Sequence, residues 1–240
     1  MLTPFNWSYV DRDTLYMMLY SLNREVVGRL HSVKDLHKLI SKHLKSQLPI
    51  RVRKQTDKAV DSGYVYIGGV YYSDYDQDYR KSIEVVFSFN PGDSKIKLSL
   101  YKWKRMCLLF ADTILHEVIH MRQYRARNFK DIPGYSSTSE LAKQRVDQNY
   151  YGHKDEIDAY AFNIACELYD RFGTNYKEAA RYLETGSHRR HKRTSYYRYL
   201  KAFDFDHNHP VIKSLKKKII RYLPYTEIGK PFKTTDWLFN

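Results

Sequence analysis

The residues best suited to chemistry in this 240-residue chain are His116, Glu117 and His120, in the run Ala111-Asp-Thr-Ile-Leu-His-Glu-Val-Ile-His-Met121. On a helix, His116 and His120 stand one turn apart and point the same way. Two neutral imidazoles so placed can meet one Zn²⁺ at about 2.0–2.1 Å each. Glu117 is rotated by about 100° from His116. It therefore does not ligate, but it can reach a water held by the metal, as the base of a zinc hydrolase does. The plainer alternative is two histidines and a glutamate on the exposed face of an amphipathic helix. The flanks oppose it: Leu108, Leu109, Phe110, Ile114, Leu115, Val118 and Ile119 wrap most of the cylinder, as in a buried central helix. Polar groups on such a helix are paired or ligating, because an unpaired one is costly.

A zinc site needs at least a third protein ligand. The next stretch with suitable groups is His153-Lys-Asp-Glu-Ile-Asp-Ala-Tyr-Ala-Phe-Asn-Ile-Ala-Cys-Glu-Leu168. Ile157, Ala161, Ile164, Ala165 and Leu168 keep helical spacing, and Glu156 leads a second stripe with Ala159, Tyr160 and Asn163. Glu156 is expected to be the third ligand, with Asp155 and Asp158 beside it as supporting carboxylates or rival ligands. His153 is the main rival, able to ligate or to stabilise an oxyanion. Tyr150, Tyr151 and Tyr160 are further donor candidates. The ordinary role for Glu156 would be a helix-start carboxylate near the positive end of the dipole. Asp112, one turn before His116, is spaced to accept that ring's second N–H, or else lies on the surface. The expected set is thus Glu117, His153 and Tyr160 in catalysis, His116, His120 and Glu156 on the metal, and Asp112 and Asp155 behind them.

His116-Glu-Val-Ile-His120 followed by Glu156-x-x-Ala159-x-x-Phe162 resembles the gluzincin zinc metallopeptidases. The sequence is most similar to small cytoplasmic ones of the ImmA/IrrE type and to metallopeptidase-like proteins encoded by tailed bacteriophages. The resemblance covers about residues 64–170; Tyr160 stands where thermolysin-like enzymes carry an Asp. It implies a zincin fold, with a mixed sheet over an active-site helix and substrate along an edge strand, and it implies peptide-bond hydrolysis. The residues suggest the same chemistry. Zn²⁺ on His116, His120 and Glu156 leaves room for a water whose pKa falls toward ~7. Glu117 takes the proton and later delivers it to the leaving amine. A substrate strand could pair with a sheet edge within residues 64–100.

Several elements must position these groups. A first helix is predicted over residues 11–30, and a second from Ser32 to about Gln47, ended by Pro49. Residues 64–72, 83–89 and 95–100 read as strands, with a turn at Asn90-Pro-Gly-Asp93. Together they form a sheet of at least three strands ahead of a helix from about Lys104 to Arg127. Asp74, Asp76 and Asp78 fall in a loop that lacks the Gly and terminal Glu of a helix-loop-helix calcium site, so a solvated loop is expected. Residues 128–154 read as an active-site loop with a short helical piece near 140–146. Helices follow over about 175–184 and 211–223. His31, His37 and His43 lack ligand spacing and are read as surface residues. His207 and His209, beside Asp204 and Asp206, fit an ordinary loop.

The chain carries 41 Lys and Arg against 27 Asp and Glu, a net charge of +14. Residues 181–221 hold twelve Lys/Arg and three Asp/Glu, so +9 of the total lies there. Arg189, Arg190, Lys192, Arg193, Lys216, Lys217 and Lys218, with Tyr196, Tyr197 and Tyr199 interleaved, could track a nucleic-acid backbone or form a solvated basic face. Cys107 and Cys166 fall in apolar helical patterns, where reduced buried thiols are expected. The N-terminal residues show no signal-peptide pattern, and no stretch approaches the ~18 apolar residues of a membrane span, so no membrane partner is expected. A cytoplasm is expected, the host's if the protein is phage-encoded. The whole reads as one compact α+β zincin-like domain. N-terminal helices (1–60) pack on a metallopeptidase core (61–173), and a basic helical extension (174–240) follows. Its expected function is zinc-dependent hydrolysis of a protein or peptide substrate. The rival is a basic nucleic-acid-binding protein whose metal site is structural or degenerate.

Overall fold

A computed structural model describes residues 5–7, 10–78, 80–185 and 194–226. The fold mixes α and β, with helices dominating and small sheets. The chain divides into two compact units, the first ending at Phe129 and the second beginning at Lys130.

In the first unit, α1 (Arg12–Tyr20) starts where the Asp11 carboxylate accepts the Thr14 N–H at 2.6 Å, a side-chain N-cap. The predicted helix over 11–30 does not continue. The Ser21 hydroxyl turns back to the Met18 carbonyl at 2.7 Å, competing with the helical ladder. One further turn, α2 (Asn23–Val26), follows. Gly28 then takes φ of 76°, a left-handed conformation that glycine adopts without strain, and leads into β1 (Leu30–Ser32). The second helix is as expected: α3 (Val33–Gln47) begins at Ser32, whose Oγ accepts the Asp35 N–H at 3.0 Å. Its apolar stripe Leu36, Ile40 and Leu44 is fully buried.

The sheet differs from the expected one in its membership. Strand β2 (Ile50–Thr56) was not anticipated from the sequence; it joins β3 (Val65–Tyr71) and β4 (Ile83–Phe89) in the order β2-β4-β3. β2 runs parallel to β4, and β3 antiparallel to it. Central β4 is buried at all seven positions, as a strand covered on both faces must be. Its buried Glu84 is met by Arg53 at 2.9 Å and Arg51 at 3.3 Å from β2. The third predicted strand shrinks to β5 (Lys95–Lys97) and pairs with β1, not with the main sheet. Ser99 is the reason: its Oγ accepts the Lys102 N–H at 3.3 Å and starts a helix there.

That helix, α5 (Leu100–Ala126), is 27 residues long and packs against α1 and β3. Trp103, Phe110, Ala111, Ile114 and Val118 are fully buried along it, as the wrapped apolar pattern demands. The Asp74–Asp78 loop is also corrected. Residues Ser73–Gln77 form a short helix, α4. The Asp76 carboxylate is buried in a two-bond pair with Arg125 (2.7 and 2.6 Å) and accepts the Tyr71 hydroxyl at 3.0 Å.

In the second unit, residues 130–139 form no regular element. α6 (Ala142–Tyr151) is longer than the helical piece predicted there. α7 (Lys154–Phe172) starts at His153 and ends at Gly173, with φ of 58°. Its residues Ile157, Ala161, Ile164, Ala165 and Leu168 are buried, in keeping with their helical spacing. α8 (Tyr176–Glu184), α9 (Ser195–Ala202) and α10 (Pro210–Tyr222) follow, and α8, α9 and α10 all pack on α7. His209 caps α10 by accepting the Val211 N–H on Nδ1 at 3.2 Å, an ordinary structural role. No helix among the described residues is long and apolar enough to cross a membrane.

Candidate metal centre

One group of candidate residues lies on α5, in the first unit. His116 is buried, at 7 % exposure, and His120 is half-buried. Their Nε2 atoms face each other at 3.1 Å, with ring centroids 4.8 Å apart and nearly perpendicular planes. Two nitrogens bound tetrahedrally at 2.0–2.1 Å from one zinc would be separated by about 3.3 Å, so the observed spacing suits a shared ion. Gln123, one turn on, places Oε1 2.9 Å from Nδ1 of His120. With Nδ1–H donating there, the neutral ring keeps its lone pair on Nε2, the atom aimed at His116. This orienting partner was missed in the sequence, although an i, i+3 glutamine on the same helix is within reach.

Glu117 is buried at 5 % exposure and turns toward β3. A β-carbon built on Gly69 would lie 2.5 Å from its Oε1 and 2.7 Å from its Cγ. Only a residue without a side chain admits the carboxylate there. The Gly68-Gly69 pair, in regular register with Val86 and Val85 of β4, thus sits where Glu117 comes closest to the sheet. Asp112 pairs with Arg12 of α1 through two bonds of 2.7 and 3.2 Å, so one of its roles is to tie α1 to α5.

A separate group of candidate residues lies around the start of α7, in the second unit. His153 is the N-cap residue, its Nδ1 accepting the Asp155 N–H at 3.3 Å. A neutral ring so engaged carries its proton on Nε2. Asp155 is buried and Glu156 half-buried in the first turn. Glu156 sits beside a tyrosine cluster. Tyr150 donates a hydrogen bond to Glu156, its hydroxyl lies 3.4 Å from that of Tyr160, and the rings of Tyr150, Tyr151, Tyr160 and Tyr199 touch in series. Burial first, then Tyr160 and Glu156, pushes the Tyr150 hydroxyl far above its ordinary range. Burial, Glu156, Tyr160 and Tyr151 do the same to Tyr199. Phenols in such surroundings stay protonated, and therefore remain donors, across the working pH range. Asp158 is engaged elsewhere, by Lys218 Nζ at 2.6 Å and the Tyr222 hydroxyl at 2.9 Å.

The basic C-terminal candidates divide. Lys216 is buried and pairs with Glu184 at 2.9 Å, and Lys218 is the partner of Asp158. Lys217 is exposed. Arg189, Arg190, Lys192 and Arg193 lie outside the described residues. His37, read as a surface residue, is half-buried against Phe87 instead.

No protein-family model, curated protein or solved structure matches the chain.

Proposed function

We propose that the chain is a zinc-dependent metallopeptidase of zincin-like architecture, akin to the ImmA/IrrE type, with His116, His120 and Glu156 as metal ligands and Glu117 as general base. The observation that carries this reading is the convergence of His116 Nε2 and His120 Nε2 at 3.1 Å on one face of a buried helix. Glu156, a half-buried carboxylate in the first turn of α7, is the third ligand in this reading. Two imidazoles and one carboxylate are also the donor set of a well-known class of catalytic zinc.

Zinc held there would supply Lewis acidity, polarising a peptide carbonyl and easing deprotonation of water. The chain's own groups do the rest. Glu117 accepts a proton from the attacking water and passes it to the leaving amine nitrogen; Gly69 gives its carboxylate room to stand. His153, with Nδ1 occupied by the helix cap, offers Nε2–H to negative charge on the substrate oxygen, and it is a donor there, not a ligand. Tyr160 is a neutral donor for the same purpose, while Tyr150 gives its one O–H to Glu156 and steadies it. The substrate is an extended peptide. β3 is the edge strand beside α5, and an edge strand can pair with a peptide main chain.

The test is Glu117→Gln. The variant should keep its zinc and its fold while hydrolysis of a mixed peptide library falls by about 10²–10⁴-fold, the usual share of a general base. Equal hydrolysis by the zinc-loaded wild type and variant would refute the assignment.

A further inference from the structure

We propose that the exposed face of α3 docks the phosphate backbone of double-stranded nucleic acid, a surface separate from the candidate metal centre. Lys34, Lys38, Lys42 and Lys45 are all exposed on this helix. At about 100° per residue they fall within an arc of about 80°, along about 16 Å of helix. None of the four has an ion-pair partner among the described residues. The one carboxylate of α3, Asp35, is turned to the Ser32 hydroxyl at 2.6 Å. Lys54 on β2, also exposed, adds a fifth charge: with Lys45 it acts electrostatically on His37 of α3.

This stripe works against the helix that carries it. Like charges at i, i+4 destabilise a helix, and Lys34 sits in the first turn, where the dipole disfavours a cation. An acidic partner would remove both penalties. A regular line of unpaired lysines suits a polymer of evenly spaced phosphates, each contact releasing a counterion. A membrane surface suits it less, because none of the exposed large apolar side chains lies on α3, and interfacial helices insert an apolar face. The face offers point charges without the planar Arg, Asn or Gln forks that read base edges, so binding should be indifferent to sequence. By contrast, two of the three lysines in the Lys216–Lys218 run are neutralised by Glu184 and Asp158.

The test measures binding of the full chain to a short labelled DNA duplex by fluorescence anisotropy between about 50 and 200 mM salt. The variant Lys38→Gln/Lys42→Gln/Lys45→Gln should weaken binding more than tenfold. It should also flatten the plot of log K against log salt by about 2.7, three contacts at about 0.9 each. A matched variant on α10, Lys213→Gln/Lys217→Gln/Arg221→Gln, should stay within about twofold of wild type at every salt concentration. Circular dichroism checks that both variants fold. The proposal is overturned if the duplex does not bind, if the α3 variant binds unchanged, if only the α10 variant loses binding, or if phosphatidylserine vesicles bind α3 and the duplex does not.

Discussion

Gly69 of β3 and Glu117 of α5 are packed so closely that a β-carbon on the glycine would lie 2.5 Å from the carboxylate oxygen and 2.8 Å from the Thr113 methyl. The strand thereby sets where the proposed base can stand. Gly69→Ala should displace Glu117, and misplacement by about 1 Å can cost about 10²-fold in rate. Overpacking should add about 1–3 kcal/mol of destabilisation. Peptide-hydrolysis rates, zinc content and a urea melt on one preparation check this. The expected pattern is reduced rate with zinc retained; full activity would mean that Glu117 needs no such seat.

Gln123 should matter through His120. Its Oε1 lies 2.9 Å from Nδ1, and groups that orient a ligating imidazole typically contribute 10–100-fold to metal affinity. Gln123→Leu should therefore lower zinc affinity by about that factor, as read by competition with a chromogenic chelator. Unchanged affinity would place the tautomer under other control.

Asp76 is nearly inaccessible and holds the half-exposed Arg125 through two short bonds. Removing the cation strands a buried carboxylate. Arg125→Met should cost about 2 kcal/mol, below the ~3–5 of a fully buried pair because solvent screens the exposed guanidinium. Chemical denaturation of the variant gives the value directly.

His37 carries a pH dependence. Burial, then Lys54 and Lys45, lowers its pKa below the ordinary 6.5. The unfolded chain then binds a proton more readily than the folded one, so stability rises with pH in this window. The contribution is complete above about pH 6.5 and is lost as pH falls through the depressed folded value. Lys45→Gln and Lys54→Gln should each shift the His37 midpoint upward in an NMR titration. A midpoint that does not move would detach these lysines from the ring.

Much of this arrangement was legible from residue order. The spacing of His116 and His120, the wrapped apolar helix and the periodicity of Ile157 to Leu168 are local patterns, and they reappear as α5 and α7. What escaped depends on distant partners or single caps. β2 was invisible because only two of its seven residues are apolar, while Arg51 and Arg53 are held by Glu84 from the neighbouring strand. β5 was overextended because Ser99 could continue a strand or cap a helix, and Lys102 decided it. Asp76 read as a loop carboxylate because its partner Arg125 is 49 positions away. The Lys216–Lys218 run reads as free in the sequence because the carboxylates that pair with two of its members, Glu184 and Asp158, lie 32 and 60 positions away.

The most direct measurement is the metal content of chelator-free wild type, His120→Ala and Glu156→Gln proteins by elemental mass spectrometry. The account predicts about one zinc per wild-type chain, none in His120→Ala, and a sharply reduced content in Glu156→Gln, all three remaining folded. Folded wild-type protein that neither carries zinc nor takes it up on addition would contradict it.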